Sequence, residues 1–180
     1  MLFRSLCLEQ QRSQVEAGEV RAAQLARTSA NHLELTLFAV DRALKRAGAE
    51  IVENWPDGGG AALARAAGFP ERQEIELAFV DADGLLVETD RGKRAVPVNV
   101  AGRSYFLVHR DTSQVTTRMM PPILSRHSGA WSIPVSRAVR DHEGALLGVV
   151  VAFINATALG EVLHNVSMTP RDVLDIEGEN

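Results

Sequence analysis

SGAWSIPVSRAVRDHEGALLGVVVAFIN, residues 128–155, is the stretch that decides the fold. Trp131, Ile133, Val135, Arg137 and Val139 alternate with Ser132, Pro134, Ser136 and Ala138, the period-two pattern of a strand. Arg140-Asp141-His142-Glu143-Gly144 is polar and ends in glycine, which predicts a hairpin turn. Leu146–Ile154 is then an unbroken apolar run, which predicts a central strand buried on both faces. A long hairpin in the middle of an antiparallel sheet follows. Upstream, Ala101-Gly102-Arg103-Ser104-Tyr105-Phe106-Leu107 puts a cation and a phenol on a segment expected to lie as a loop over that sheet.

Working outward, Ile75–Val80, Asp81-Ala82-Asp83-Gly84 and Leu85–Glu88 read as strand, turn and strand. Asp-x-Asp-Gly also opens calcium loops, but Arg91, Lys93 and Arg94 stand where further oxygen ligands would be needed. Between about Leu6 and Ile51 there is no proline and an abundance of Ala, Leu, Glu, Gln and Arg, which predicts one long helix or two consecutive ones. Leu33, Leu37, Val40, Leu44, Ala47 and Ile51 form one apolar stripe on it. The mostly polar first half predicts a protruding helix, either without a partner or paired with its twin in a dimer. Trp55-Pro56-Asp57-Gly58-Gly59-Gly60 ends the helix, and Ala61–Ala67 forms a short one before Gly68 and Pro70. The three glycines lack the Gly-Lys-Ser/Thr of a phosphate loop and read as a connector. Ile123–Ser125 is a candidate further strand, Ala156–Val166 a short helix capped by Asn155 or Thr157, and Asp172–Ile176 a last strand.

The 180 residues are 46% hydrophobic and 23% charged, the composition of a soluble globular chain. A formal net charge of -4 argues against nucleic acid as a partner. Cys7 is the single cysteine, so neither an internal disulfide nor a cysteine-based zinc site is available. No apolar run reaches the ~18–20 residues that span a bilayer, so any membrane anchor is expected outside this sequence.

Four motifs in register, Arg103-Ser104-Tyr105-Phe106, Ser128-Gly129-Ala130-Trp131, Val135-Ser136-Arg137 and Asp141-x-x-Gly144-x-x-x-Gly148-Val149-Val150, resemble the Cache family of extracellular PAS-like sensor domains. The similarity is greatest to sensors of bacterial diguanylate cyclases and histidine kinases, and covers about residues 28–166. It implies an α+β fold with a central antiparallel sheet of about five strands and a long N-terminal helix on one face. Residues 1–27 would be a helical extension serving dimerisation or as a stalk. Residues 167–180 resemble the start of a second lobe. It also implies a periplasmic or extracellular sensor in a membrane-anchored, homodimeric receptor, which binds a small molecule between the sheet and the segment Val98–Met120. Relatives usually carry an acidic residue where Gly102 stands, and amino-acid-binding relatives often carry Asp where Asn155 stands. The first departure leaves the ligand class open; the second, an uncharged amide, favours a carboxylate-bearing ligand, an organic acid or amino acid, over one recognised by its amine.

The candidate ligand-binding residues are Arg103, Tyr105, Phe106, His109, His127, Trp131, Arg137 and Asn155. An arginine fork takes a carboxylate through two charge-assisted bonds, and a tyrosine hydroxyl adds a third donor. Trp131 can close a pocket with its ring or simply pack. Arg137 shares its strand face with apolar residues, so it either meets a ligand anion or is held by a carboxylate for structure. His109 and His127 flank the loop segment. No histidines stand at metal-ligand spacing, the Gly-x-Ser-x-Gly elbow is missing around Ser128, and no paired carboxylates stand out. A non-enzymatic domain without metal or cofactor is therefore expected, with a ligand-free PAS-like dimerisation or docking module as the alternative.

Overall fold

The computed structural model describes the backbone of residues 2–54, 59–68, 75–126 and 128–157. The chain divides into two compact units, residues 1–36 with 160–180, and residues 37–159. The order of elements is α1 (Leu2–Glu53), α2 (Gly59–Ala66), β1 (Ile75–Asp81), β2 (Leu85–Thr89), β3 (Gly92–Asn99), α3 (Ser104–Arg110), β4 (Thr117–Met119), β5 (Ile123–Leu124), β6 (Trp131–Arg140) and β7 (Leu146–Asn155). One continuous α1 resolves the choice between one helix and two. His127, most of the helix expected over Ala156–Val166 and the strand expected over Asp172–Ile176 fall outside the described residues.

All pairings are antiparallel, in the order β3-β2-β1-β7-β6-β4, with β5 also on β6. The expected hairpin β6–β7 is the centre, paired from Ser132↔Asn155 to Arg140↔Leu146. Among the described residues the sheet has seven strands, where about five were expected. β3, Gly-Lys-Arg-Ala-Val-Pro-Val-Asn, carries three polar or charged residues and Pro97, so it shows no clean alternation. It lies at the sheet edge, where a strand need not donate every N–H and proline is tolerated. β4 and β5, at three and two residues, are too short to carry a period.

The β1–β2 and β6–β7 hairpin turns share one device. Asp81 Oδ1 accepts from the amides of Asp83 and Leu85, and Asp141 Oδ1 accepts from those of Glu143 and Ala145. Each turn then needs a residue with positive φ, supplied by Gly84 (79°) and Gly144 (88°).

Strand alternation gives the sheet two covered faces. On one, Val40, Ala43, Leu44, Ala47 and Ile51 of α1 and Ala62 and Leu63 of α2 pack on Leu77, Phe79, Val135, Val139, Val150 and Ala152. Fully burying side chains such as Leu44, Leu63 and Leu77 contributes about 1.5–3 kcal/mol each, so this layer holds the helices to the sheet. On the other, Ala78, Val80, Leu86, Val149, Val151 and Phe153 lie under Tyr105 and Phe106. The even-numbered residues of β1 and the odd-numbered ones of β7 serve this second face, because successive side chains point to opposite sides.

Candidate ligand-binding site

The segment expected as a loop contains a helix. α3 is seven residues long, and Tyr105, Phe106 and His109 are its buried residues. Their spacing of one and three positions puts all three on the sheet-facing side of a helical turn. Tyr105 is 2% exposed and meets Phe153 edge to face, with ring centroids 5.5 Å apart. That geometry favours aromatic pairs beyond simple burial.

The charges of two guanidiniums act on this phenol. Arg103, the residue before α3, donates through Nη2 to the carbonyl of Leu124 at 3.2 Å. Arg126 donates through Nη1 to the carbonyl of Asn99 at 3.1 Å. Burial pushes the Tyr105 hydroxyl up to about 12, while the charges of Arg103 and Arg126 pull it the other way. The phenol is therefore a neutral donor at physiological pH, and each arginine has donors beyond the one fixed on a carbonyl. Arg126 was not among the sequence candidates, because a lone arginine in a polar turn reads as a solvated side chain.

On the same face, Glu76, Thr89, Arg91, Lys93, Arg94, Val96 and Ser128 are among the residues that line a recess of about 760 Å³. It is framed by the start of β1, the β2–β3 hairpin and the turn after Arg126. Its walls carry both signs of charge. Beside Glu76, the Asp90 carboxyl is held above the usual carboxylate range, mainly by burial and then by the charge of Glu76, with Arg91 acting in the opposite direction. Asp90 Oδ1 is buried with no hydrogen-bond partner among the described residues. None of these liners was singled out from sequence as a binding residue. They come from three separate segments that only the strand register brings together.

His109 is 1% exposed, and its Nε2 lies 2.9 Å from Ser136 Oγ. The Ser136 hydroxyl also reaches the carbonyl of Arg118 at 3.4 Å. Ser136 thus donates onward and accepts from His109, which assigns the Nε2-protonated tautomer. Burial lowers the His109 pKa, the Ser136 contact opposes this, and the charges of Arg118, Arg140 and Arg137 lower it further. The folded protein therefore stays neutral at His109 when the unfolded chain, with a histidine pKa of about 6.5, already takes a proton. The stability associated with neutral His109 is present above that pH and is lost as pH falls from there through the folded-state value. Urea midpoints measured from pH 7.5 to 5 are expected to fall, with His109→Gln flattening that part of the profile.

The remaining candidates separate. Asn155 shares the α3 side of β7 by alternation, and its Oδ1 accepts from the Thr157 amide at 2.9 Å, which makes it a cap. Trp131 and Arg137 alternate with the α3-side residues of β6 and so belong to the helix-covered side. Trp131 is 56% exposed at the strand's start. Arg137 Nη1 donates to Thr117 Oγ1 at 3.3 Å, and Thr117 in turn donates to Asp41. Burial works against the Asp41 charge, but the bonds from Lys45 and Thr117 and the charges of Lys45 and Arg137 outweigh it and lower its pKa. Arg137 is thus linked through Thr117 to a carboxylate. The recess and the phenol lie across the sheet from it.

No protein-family model matches the chain, and no curated protein matches it. Solved structures do. The extracellular domain of rpHK1S-Z16, a protein assigned as a histidine kinase, aligns with a TM-score of 0.68 and 27% identity over 82% of this chain and 61% of its own. This is the fold of a Cache-type sensor domain. Two chemoreceptor domains share the Cache fold at lower identity. Tlp3 of Campylobacter jejuni, in complex with L-norvaline, gives a TM-score of 0.61 at 13% identity over 78% of this chain and 59% of its own. CtaA of Pseudomonas fluorescens, in complex with L-serine, gives 0.60 at 18% over 74% and 57%. The chain thus spans about three-fifths of the length of each of these Cache domains.

Proposed function

We propose that the chain is the small-molecule sensor of a membrane-anchored bacterial receptor, facing the periplasm or the exterior, and that it takes a carboxylate-bearing organic acid or amino acid. The observation that carries this reading is the Tyr105 phenol, buried against Phe153 and within the influence of the Arg103 and Arg126 charges, on the sheet face that also bears the 760 Å³ recess. A carboxylate needs two or more convergent donors to replace its water, and charge-assisted bonds supply about 1.5–3 kcal/mol each. The mixed-sign walls of the recess suit the polar remainder of such a ligand. Residues 28–166 would form the sensing domain, and the extension before it would dimerise.

A route for the signal runs through Arg140. Its Nη2 donates to the carbonyls of His109 and Thr112, just where α3 ends, and its Nη1 donates to that of Gly144. Movement of α3 on ligand closure would therefore draw the β6–β7 hairpin with it. That hairpin lies against the Lys45–Val52 part of α1, which lines a shared groove. Helix shifts of ~1–2 Å are sufficient to pass on a switch.

A thermal-shift screen of L-amino acids and small organic acids tests the reading. A ligand at a hundred times its dissociation constant stabilises by about 2.7 kcal/mol, a rise of roughly 5–10 °C for a domain of this size. Arg103→Ala and Tyr105→Phe are expected to remove most of the rise while leaving the ligand-free melting curve intact. If no compound shifts the curve and the variants alter only the oligomeric state, the domain is a docking module instead.

A further inference from the structure

We propose that His109 is an acid-sensitive latch, which holds α3 on the sheet while neutral and releases it when protonated. As regulation of the ligand site it rests on the reading above. α3 cannot stand by itself: its seven residues fall short of the about 12–15 that an isolated helix needs in water. It is held by the docking of Tyr105, Phe106 and His109, its buried residues. The two aromatics are pH-insensitive anchors near neutrality, with the Tyr105 hydroxyl pushed up to about 12. His109 is the anchor that titrates in the physiological range. It is 1% exposed, and its Nε2 meets Ser136 Oγ of β6 at 2.9 Å.

The surroundings leave no place for a second proton. Nδ1 is buried with no hydrogen-bond partner among the described residues, so an N–H formed there would lose water and gain no acceptor. The charges that act on the ring are all positive: Arg118 of β4, and Arg140 and Arg137 of β6. Arg140 also donates to the His109 carbonyl, which keeps its cation close. The core that β1, β2 and β7 place under α3 is apolar: Ala78, Val80, Leu86, Val149, Val151 and Phe153. Just beyond α3, Asp111 is exposed and paired with Arg110, so it is no counter-ion for the ring. A protonated His109 therefore has to leave its site, and α3 leaves with it. Tyr105, one turn earlier, would then lift from Phe153 and carry the phenol away from the ligand site. Ligand and proton oppose each other, each weakening the binding of the other.

Hydrogen exchange of the chain, with no ligand added, reads the latch directly, so the latch and the ligand reading fail separately. Once released, His109 titrates near the ordinary histidine value of about 6.5. Below that pH the balance is expected to move toward release by up to about tenfold per pH unit. Protection factors of the Leu107–Arg110 amides, measured from pH 7.5 to 5, are expected to follow that slope and to lie below those of β7 throughout. His109→Gln keeps a donor for Ser136 but has no proton to gain, and is expected to flatten the slope in α3. If that variant does not fold, the wild-type comparison of α3 with β7 still decides. Amides of α3 that share the protection of β7 at every pH, that hold their protection across the range, or that keep the slope in His109→Gln overturn the proposal.

Discussion

Gly148→Val is expected to abolish stable folding of the 37–159 unit. A Cβ at Gly148 would run into the backbone carbonyl of Val80 and lie 2.6 Å from the ring of Phe79. Phe79 can turn only by disturbing the helix-side core, and the Val80 carbonyl can retreat only by opening the β1–β7 ladder. Overpacking a core commonly costs about 1–3 kcal/mol where side chains can shift, and an obstructing backbone puts this case beyond that range. Against a total stability of about 5–15 kcal/mol, two further methyl groups at the same point should leave little folded protein. Gly102→Ala is the control: its added Cβ meets nothing within 4 Å and its φ is not positive. Urea denaturation is expected to place Gly102→Ala at the wild-type midpoint and to show no folded baseline for Gly148→Val.

The second large effect belongs to Arg140→Ala. One guanidinium there serves three carbonyls, from the turn, from the end of α3 and from Thr112 two residues beyond it. Removing it leaves partly buried acceptors unmet at the C-terminal end of a helix, where a cation also opposes the helix dipole. The expected loss is about 1–3 kcal/mol for each of the two part-buried carbonyls left unmet. Arg140→Lys should recover little of it, since a single ammonium cannot span carbonyls on two elements. Hydrogen exchange of the α3 amides separates this from general destabilisation: in both variants α3 is expected to lose protection before β7 does.

The centre of the fold was legible because β6 and β7 are long. Ten residues each give the period-two pattern and the apolar run room to appear, and Asp141 and Gly144 mark the turn between them. The apolar stripe of α1 was legible for the same reason, with Val40, Leu44, Ala47 and Ile51 all fully buried. α3 was not, because seven residues make barely two turns and Ser-Tyr-Phe-Leu-Val-His-Arg is equally compatible with a strand or a packed loop. Arg103 and Tyr105 were singled out through their chemistry, and Tyr105 is turned inward, packed in the α3-side core. Which face Trp131 and Arg137 occupy had no signal at all. β7 is buried on both sides, so nothing in the hairpin says which side carries α1 and which α3. The recess liners were hidden differently. Arg91, Lys93 and Arg94 follow a turn and look like a solvated charge run until β3 folds back beside Glu76.

The central claim is that ligand binds on the α3 side of the sheet, between the Arg103–Tyr105–Arg126 group and the recess beside Glu76. Amide chemical-shift mapping of the isotopically labelled chain, with pooled L-amino acids and small organic acids, tests it most directly. Saturable shifts are predicted for residues 76, 91–94, 103–106 and 126–130, with Trp131 and Arg137 little affected. Shifts confined to the helix-covered side, or none from any pool, would contradict the account.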